Sequence, residues 1–183
     1  MGHAQTEGIL RTGMSIDTAH KKIHDGKSYL GFTHTGALGD TETMQMCWKT
    51  PDTGEWHMIV KYDTKVAAHV ELLEGPQWSG GQTGTNAAVF NRNRQSANVS
   101  TLLTDWQSSG TFAASGAMHV GVSGLSGGTQ IWDSHAYAIK RAPGVKDRGQ
   151  NEIDLQTGTK YAVRLTSDAA SNAAHLQLNW YEK

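Results

Sequence analysis

The chain has 183 residues, of which 37% are hydrophobic, 18% charged and 21 glycine. That is enough for one domain with a self-sufficient core, and the surplus of turn-formers over charges favours sheets joined by loops. Lys and Arg number 16 against 17 for Asp and Glu, so no net field draws nucleic acid or an anionic membrane to the surface, and neither is expected as a partner.

The opening Met1-Gly2-His3-Ala4-Gln5-Thr6-Glu7 lacks the basic-then-apolar layout of a signal peptide, and no run of about 18 apolar residues could span a membrane. Folding in a cytoplasm is therefore expected. Residues 1–14 are small and polar, with Ile9, Leu10 and Met14 as apolar anchors, and cannot form a core alone. They read as an arm, so the chain divides into an arm over 1–15 and a β domain over 16–183. Ser15 or Asp17 can cap a short helix through Ile23 that Gly26 ends.

From Tyr29 the pattern has a period of two, which puts alternate side chains on opposite faces of a strand. Met44, Met46 and Trp48 form one row and Trp56, Met58, Val60 and Tyr62 the next. Pro51-Asp52-Thr53-Gly54 between them suits a turn, so the two are expected as a hairpin. Cys47, the single cysteine, excludes an intrachain disulfide and reads as a small buried apolar residue. Residues 66–73 fit both helical and strand spacing, and a strand is the reading taken. Glycine-rich stretches over 75–85 and 108–128 are expected as loops or short strands, with strands resuming over Thr129–Ile139. Tyr161, Val163 and Leu165, then Leu176, Leu178 and Trp180, alternate on either side of a small-residue turn and predict a second hairpin. Strands without alternating helices point to an all-β antiparallel sandwich or jelly roll.

Few motifs suggest chemistry, and no catalytic residue, cofactor or metal is expected. Gly124-Leu125-Ser126-Gly127-Gly128 matches G-x-S-x-G, with Asp133 and His135 shortly after, but the strand before and helix after that the nucleophile requires are missing. His20 and His24 would share a helix face, yet the glutamate of H-E-x-x-H is Lys21 here. Gly80-Gly81-Gln82-Thr83-Gly84 lacks a phosphate-binding lysine, and Asn98-Val99-Ser100 reads as an accidental glycosylation triplet. Asn91-Arg92-Asn93-Arg94 follows the apolar Ala87-Ala88-Val89-Phe90. In an extended segment both arginines would face one way and both asparagines the other, a row able to grip carboxylates or backbone carbonyls at a subunit contact. A solvated polar loop fits the same residues.

Trp56-His57-Met58-Ile59-Val60, Val70-Glu71-Leu72-Leu73-Glu74-Gly75-Pro76, and Asn91 to Arg94 with Ser100-Thr101-Leu102 resemble a group of tailed-bacteriophage virion proteins. Members of that group with an assigned role are capsid decoration, or cement, proteins. His20-Lys21-Lys22-Ile23-His24-Asp25-Gly26-Lys27 also resembles the group's opening, and the likeness runs from about Ile16 to Trp180. The resemblance implies a sandwich or jelly-roll protomer, assembled in the host cytoplasm, that binds the major capsid protein on the outer shell as a homotrimer. It implies a core motif at Glu74-Gly75-Pro76 and a contact motif at Asn91, Arg92, Asn93 and Arg94, while Ile9, Leu10, Arg11 and Met14 would anchor the arm on the shell. The additional arm and the glycine-rich loop at Gly121 to Gly128 depart from the group's pattern. The rival reading is a carbohydrate- or receptor-binding module, with Trp78, Trp106 and Trp132 as platforms for a host glycan.

Overall fold

The computed structural model describes residues 20–78, 87–104, 111–136 and 152–183. The expected arm with Ile9, Leu10, Arg11 and Met14 lies outside the described residues, as do Ser15, Asp17, the Gly80 to Gly84 segment and Trp106. The described chain is all-β apart from a short helix at residues 20–24. Gly26 lies just past that helix with φ +67°, and a Cβ there would collide with Ser96, so both the backbone and the space require glycine.

The strands, in chain order, are β1 (Ser28–Leu38), β2 (Thr43–Lys49), β3 (Trp56–Thr64), β4 (Ala68–Glu74), β5 (Ala87–Asn91), β6 (Leu103–Thr104), β7 (Ala113–Ala114), β8 (Ala117–Val120), β9 (Thr129–Ala136), β10 (Ile153–Leu155), β11 (Lys160–Ser167) and β12 (Asn172–Glu182). The alternating rows are where the period places them. Met46, Trp48, Trp56, Met58, Tyr161, Leu165, Leu176, Leu178 and Trp180 are all buried, each large side chain contributing about 1.5–3 kcal/mol on leaving water.

Their neighbours are not the expected ones. β2 does not pair with β3, nor β11 with β12: β2 pairs with β11, and β12 lies between β1 and β3. Both expected hairpins are therefore replaced by arches that carry the chain from one layer to the other. The hydrogen bonds of the corners give the reason. Thr50 N donates to Thr159 O and Gly158 N to Pro51 O, joining the β2–β3 corner to the β10–β11 corner. Likewise Asp168 N donates to Ala67 O, and the Asn172 Oδ1 accepts from Lys65 N and Val66 N, joining the β11–β12 corner to the β3–β4 corner. Each corner satisfies its backbone groups on another corner rather than across its own turn.

The resulting pairs are nested: β1 with β12, β2 with β11, β3 with β10 and β4 with β9. This antiparallel ribbon, rolled so that β12 meets β3 and β11 meets β4, is a jelly roll. One layer runs β10-β3-β12-β1 and the other β2-β11-β4-β9. The segment between β4 and β9 is inserted into this plan. Its β5 extends the first layer beside β1, its β8 extends the second beside β2, and β5 pairs with β8, so the two layers are stitched together along that side. The Glu74-Gly75-Pro76 corner starts the insertion. Gly75 N donates to Lys160 O, the Tyr161 hydroxyl donates to Glu74, and Gly128 passes so close that a Cβ would sit 2.9 Å from the Glu74 carbonyl oxygen.

The polar tips of Tyr29, Trp56 and Trp180 are collected at one end of the roll. Glu182, itself buried, accepts from Trp180 Nε1 at 3.1 Å, Ser100 Oγ at 2.7 Å and Thr101 Oγ1 at 3.0 Å, while Trp56 Nε1 donates to Thr101 Oγ1 at 3.0 Å. The Cys47 thiol is fully buried and burial pushes its pKa up, as its apolar reading requires. Tyr29 donates its hydroxyl to the Gly26 and Val99 carbonyls, and burial, with a smaller push from Glu182, raises its pKa from 10.0 to about 12. A group with a raised folded-state pKa stabilises fully below its unfolded value and loses that contribution as pH climbs through the folded one. Urea unfolding measured between pH 8 and 12 should thus show stability falling as pH rises from 10 to 12, less steeply in Tyr29→Phe; equal slopes in the two proteins would show that Tyr29 is not held neutral by the fold.

Candidate functional site

β5 joins β1 through Asn91 opposite Tyr29, Phe90 opposite Leu30 and Val89 opposite Gly31. Beyond Asn91 the chain turns, so the extended row expected for Asn91 to Arg94 does not form. The cause is local competition by the amide side chains. The Oδ1 of Asn91 accepts from Asn93 N at 2.9 Å and that of Asn93 from Gln95 N at 3.1 Å, two successive turns in which a short polar side chain replaces a backbone acceptor. The amide nitrogens then tie the turn to the start of the domain: Asn91 Nδ2 donates to Gly26 O and Asn98 O, and Asn93 Nδ2 to His24 O. The asparagines are structural. Of the arginines, half-buried Arg92 lies with Nη1 3.5 Å from Ser28 Oγ, whereas exposed Arg94 holds its guanidinium 5.6 Å from the centre of the Phe90 ring.

Phe90 belongs to a larger surface. On the outer face of the first layer it stacks on Phe32 with ring centres 5.9 Å apart, and Phe32 in turn lies 6.0 Å from the His175 ring. Phe32 remains 39% exposed, uncommon for a phenylalanine in the middle of a strand. Because β5 leaves β1 after Gly31 to meet β8, a shallow depression opens there, lined by Phe32, His34, Ala88, Phe90 and Val120. Burial lowers the pKa of His175, with Asp63 opposing and His34 adding to the shift, so at neutral pH the ring beside Phe32 is uncharged. The buried Asn179 on the same strand face accepts from Gln177 through Oδ1, while its Nδ2 finds no partner among the described residues. An aromatic centre with Arg94 at its rim has the make-up of a protein contact.

The remaining sequence motifs fall elsewhere. Ser126 sits in an isolated antiparallel bridge, exchanging both backbone hydrogen bonds with Gln77 at 2.9 Å, and no helix follows it before β9. Its loop lies across the outer face of the second layer, where Val122, Leu125 and Trp78 cover Cys47, Leu73 and Ala162. The Gln45 amide fastens it by donating to the Val122 carbonyl. Asp133 and His135 lie on β9 beside His69 of β4, where they serve a different grouping. His20 and His24 do share a helix face, their Nε2 atoms 2.9 Å apart. Neither described tryptophan is an open platform: Trp132 turns inward toward Tyr62, and the Lys160 ammonium stands 4.9 Å above Trp78.

Phe32, His34 and His175 drew no attention in the sequence. Their signal was an aromatic at an outward position of a strand whose inward positions are Tyr29 and Gly31. Compared with family models, curated proteins and solved structures, the chain finds no match. The two halves of the 91–94 motif should separate by mutation. Asn91→Ala, which removes the donor to the Asn98 carbonyl, the acceptor of Asn93 N and one of the donors to the Gly26 carbonyl, should cost about 2–3 kcal/mol of stability in chemical denaturation. Arg94→Ala should stay within roughly 0.5 kcal/mol of the parent; similar losses from both would mean that the arginine, too, is part of the folding framework.

Proposed function

We propose that this chain is a structural virion protein that decorates and stabilises the outer surface of a tailed-phage capsid by binding the major capsid protein, assembling as a trimer. The observation that carries the reading is the Phe32–Phe90 stack, exposed on the outer face of a jelly-roll layer and rimmed by Arg94. It lies beside the Asn91 to Arg94 turn, one of the blocks that resemble decoration proteins. Aromatic and arginine side chains are the residues that most often dominate protein contacts. Phe32 is offered from β1, paired with β12, and Phe90 from β5, which pairs with β1 and β8, so little ordering cost attends docking of the two rings.

The physical demands of such a role suit this surface. A shell presents many equivalent sites, and a trimer engaging several at once gains avidity without any single contact being strong. A modest apolar patch then suffices, and it leaves the free subunit without the broad apolar area that drives aggregation.

The test is occupancy of undecorated capsids by the purified full-length protein, with its mass in solution followed by light scattering. The parent should bind as a trimer. Phe32→Ser combined with Phe90→Ser should weaken binding by about 2 kcal/mol or more while leaving the β-sheet circular dichroism spectrum unchanged. A parent that remains monomeric and ignores capsids would defeat the proposal, and a glycan-array signal from the same sample would favour the carbohydrate-binding reading.

A further inference from the structure

On the second layer, β4 and β9 run antiparallel at the edge of the sheet, with His69 directly opposite His135 and Glu71 directly opposite Asp133. The pleat of β9 is fixed from inside. Ala136 is buried in the core, Trp132 packs against it, and Ser134 Oγ lies 2.5 Å from the Tyr62 hydroxyl, so the intervening Asp133 and His135 are turned to the outer face together. His69 faces the same way across the strand gap. The His69 and His135 rings stack at 4.5 Å with planes 12° apart, and the Asp133 carboxylate lies 3.8 Å from His69 Nε2.

Charge explains why this carboxylate is available. Opposed carboxylates repel across a strand pair, and Glu71 already has its cation, the Arg164 guanidinium at 2.6 Å. Asp133 is left facing the imidazoles. His69 Nε2 is buried yet has no hydrogen-bond partner among the described residues, an uncommon state for a ring nitrogen and one that a ligand would resolve.

From this grouping we propose that His69, Asp133 and His135 form a site for one divalent transition ion of the zinc type, which clamps the edge strand β9 to β4. Two imidazoles and one carboxylate are a donor set suited to such ions, and a water or an outside donor would complete the coordination. The three donor atoms lie within 4.8 Å of one another. Bonds of about 2.0–2.1 Å to a tetrahedral ion put donors about 3.3 Å apart. Closing that gap needs a movement of about 1.5 Å, within reach of side-chain rotation because Asp133 and His135 are exposed and only His69 is half-buried. The stacked rings must tilt apart for both to direct a nitrogen at the ion.

The clamp has a mechanical reason as well. Among the described residues β9 pairs on one side only, and a register shift between Leu72 and Leu73 of the β4 pairing leaves Ile131 without an opposite partner and 39% exposed. An edge strand interrupted in this way is where a sheet opens most readily. An ion bound to the folded pair and not to the separated strands would stabilise the domain by mass action. This site is independent of the capsid reading, since it lies on the opposite layer from Phe32 and Phe90.

The experiment is titration of the tag-free full-length chain with zinc chloride, followed by calorimetry and thermal unfolding. His20 and His24 are both replaced by glutamine to remove an imidazole pair whose Nε2 atoms lie 2.9 Å apart. Zinc should bind at one ion per chain and raise the unfolding temperature, and both effects should be reversed by EDTA. His135→Ala and Asp133→Asn, each at an exposed position and each checked for an unchanged circular dichroism spectrum, should weaken binding by at least about tenfold. Replacing zinc with cobalt(II) should give visible absorption that those variants lose. Absence of saturable binding in the parent, or equal binding in the variants, would overturn the site.

Discussion

The fold depends on one constraint: the apolar faces of β2, β3, β11 and β12 must all be buried, and no flat arrangement of two hairpins could bury them. Trp48 and Tyr161 come from one layer and Trp56, Met58, Leu178 and Trp180 from the other, and together they fill a single space. An arch in place of a hairpin turn puts consecutive rows on facing layers. The corners can arch because each finds hydrogen-bond partners on another corner, as Thr50 does on Thr159 and Asn172 on Lys65 and Val66. Core burial and corner bonding are thus two views of the same solution, a ribbon rolled on itself.

Rolling the ribbon leaves two outer faces, and the chain treats them differently. The second layer is partly roofed by the insertion, whose Val122, Leu125 and Trp78 form a small secondary core over Cys47, Leu73 and Ala162. Among the described residues no such roof lies over Phe32 and Phe90, and the Arg94 guanidinium beside them lies over an aromatic ring. The insertion therefore does two jobs with opposite consequences. It covers part of one face, and through β5 it adds Phe90 to the other. The asparagine turn at 91–95 makes this possible, because it fixes the end of β5 to Gly26 and His24 at the start of the domain.

Much of this was legible in the sequence, within a definite limit. A period of two states which face a residue occupies, and so the strands, the core rows and the buried Cys47 could be read directly. It does not state which strand lies alongside, since facing and adjacent rows produce the same pattern. Pro51-Asp52-Thr53-Gly54 looked like a turn and is one, but a turn over the edge of the core and not within a sheet. Asn91 to Arg94 was legible as unusual but open between an extended row and a polar loop, because the bonds that bend it involve Gly26, His24 and Asn98 as well as the segment itself. The meeting of His69 with Asp133 and His135 lay beyond reach. It follows from the pairing of β4 with β9, strands separated in sequence by the whole insertion.

The central claim is the rolled ribbon, and cross-strand backbone NOEs in an isotope-labelled sample test it most directly. The account predicts close Hα contacts linking β2 with β11 and β1 with β12, in the registers Met46 with Val163 and Leu30 with Asn179. A ladder of contacts joining β11 to β12, or β2 to β3, as neighbouring strands of one sheet would contradict it.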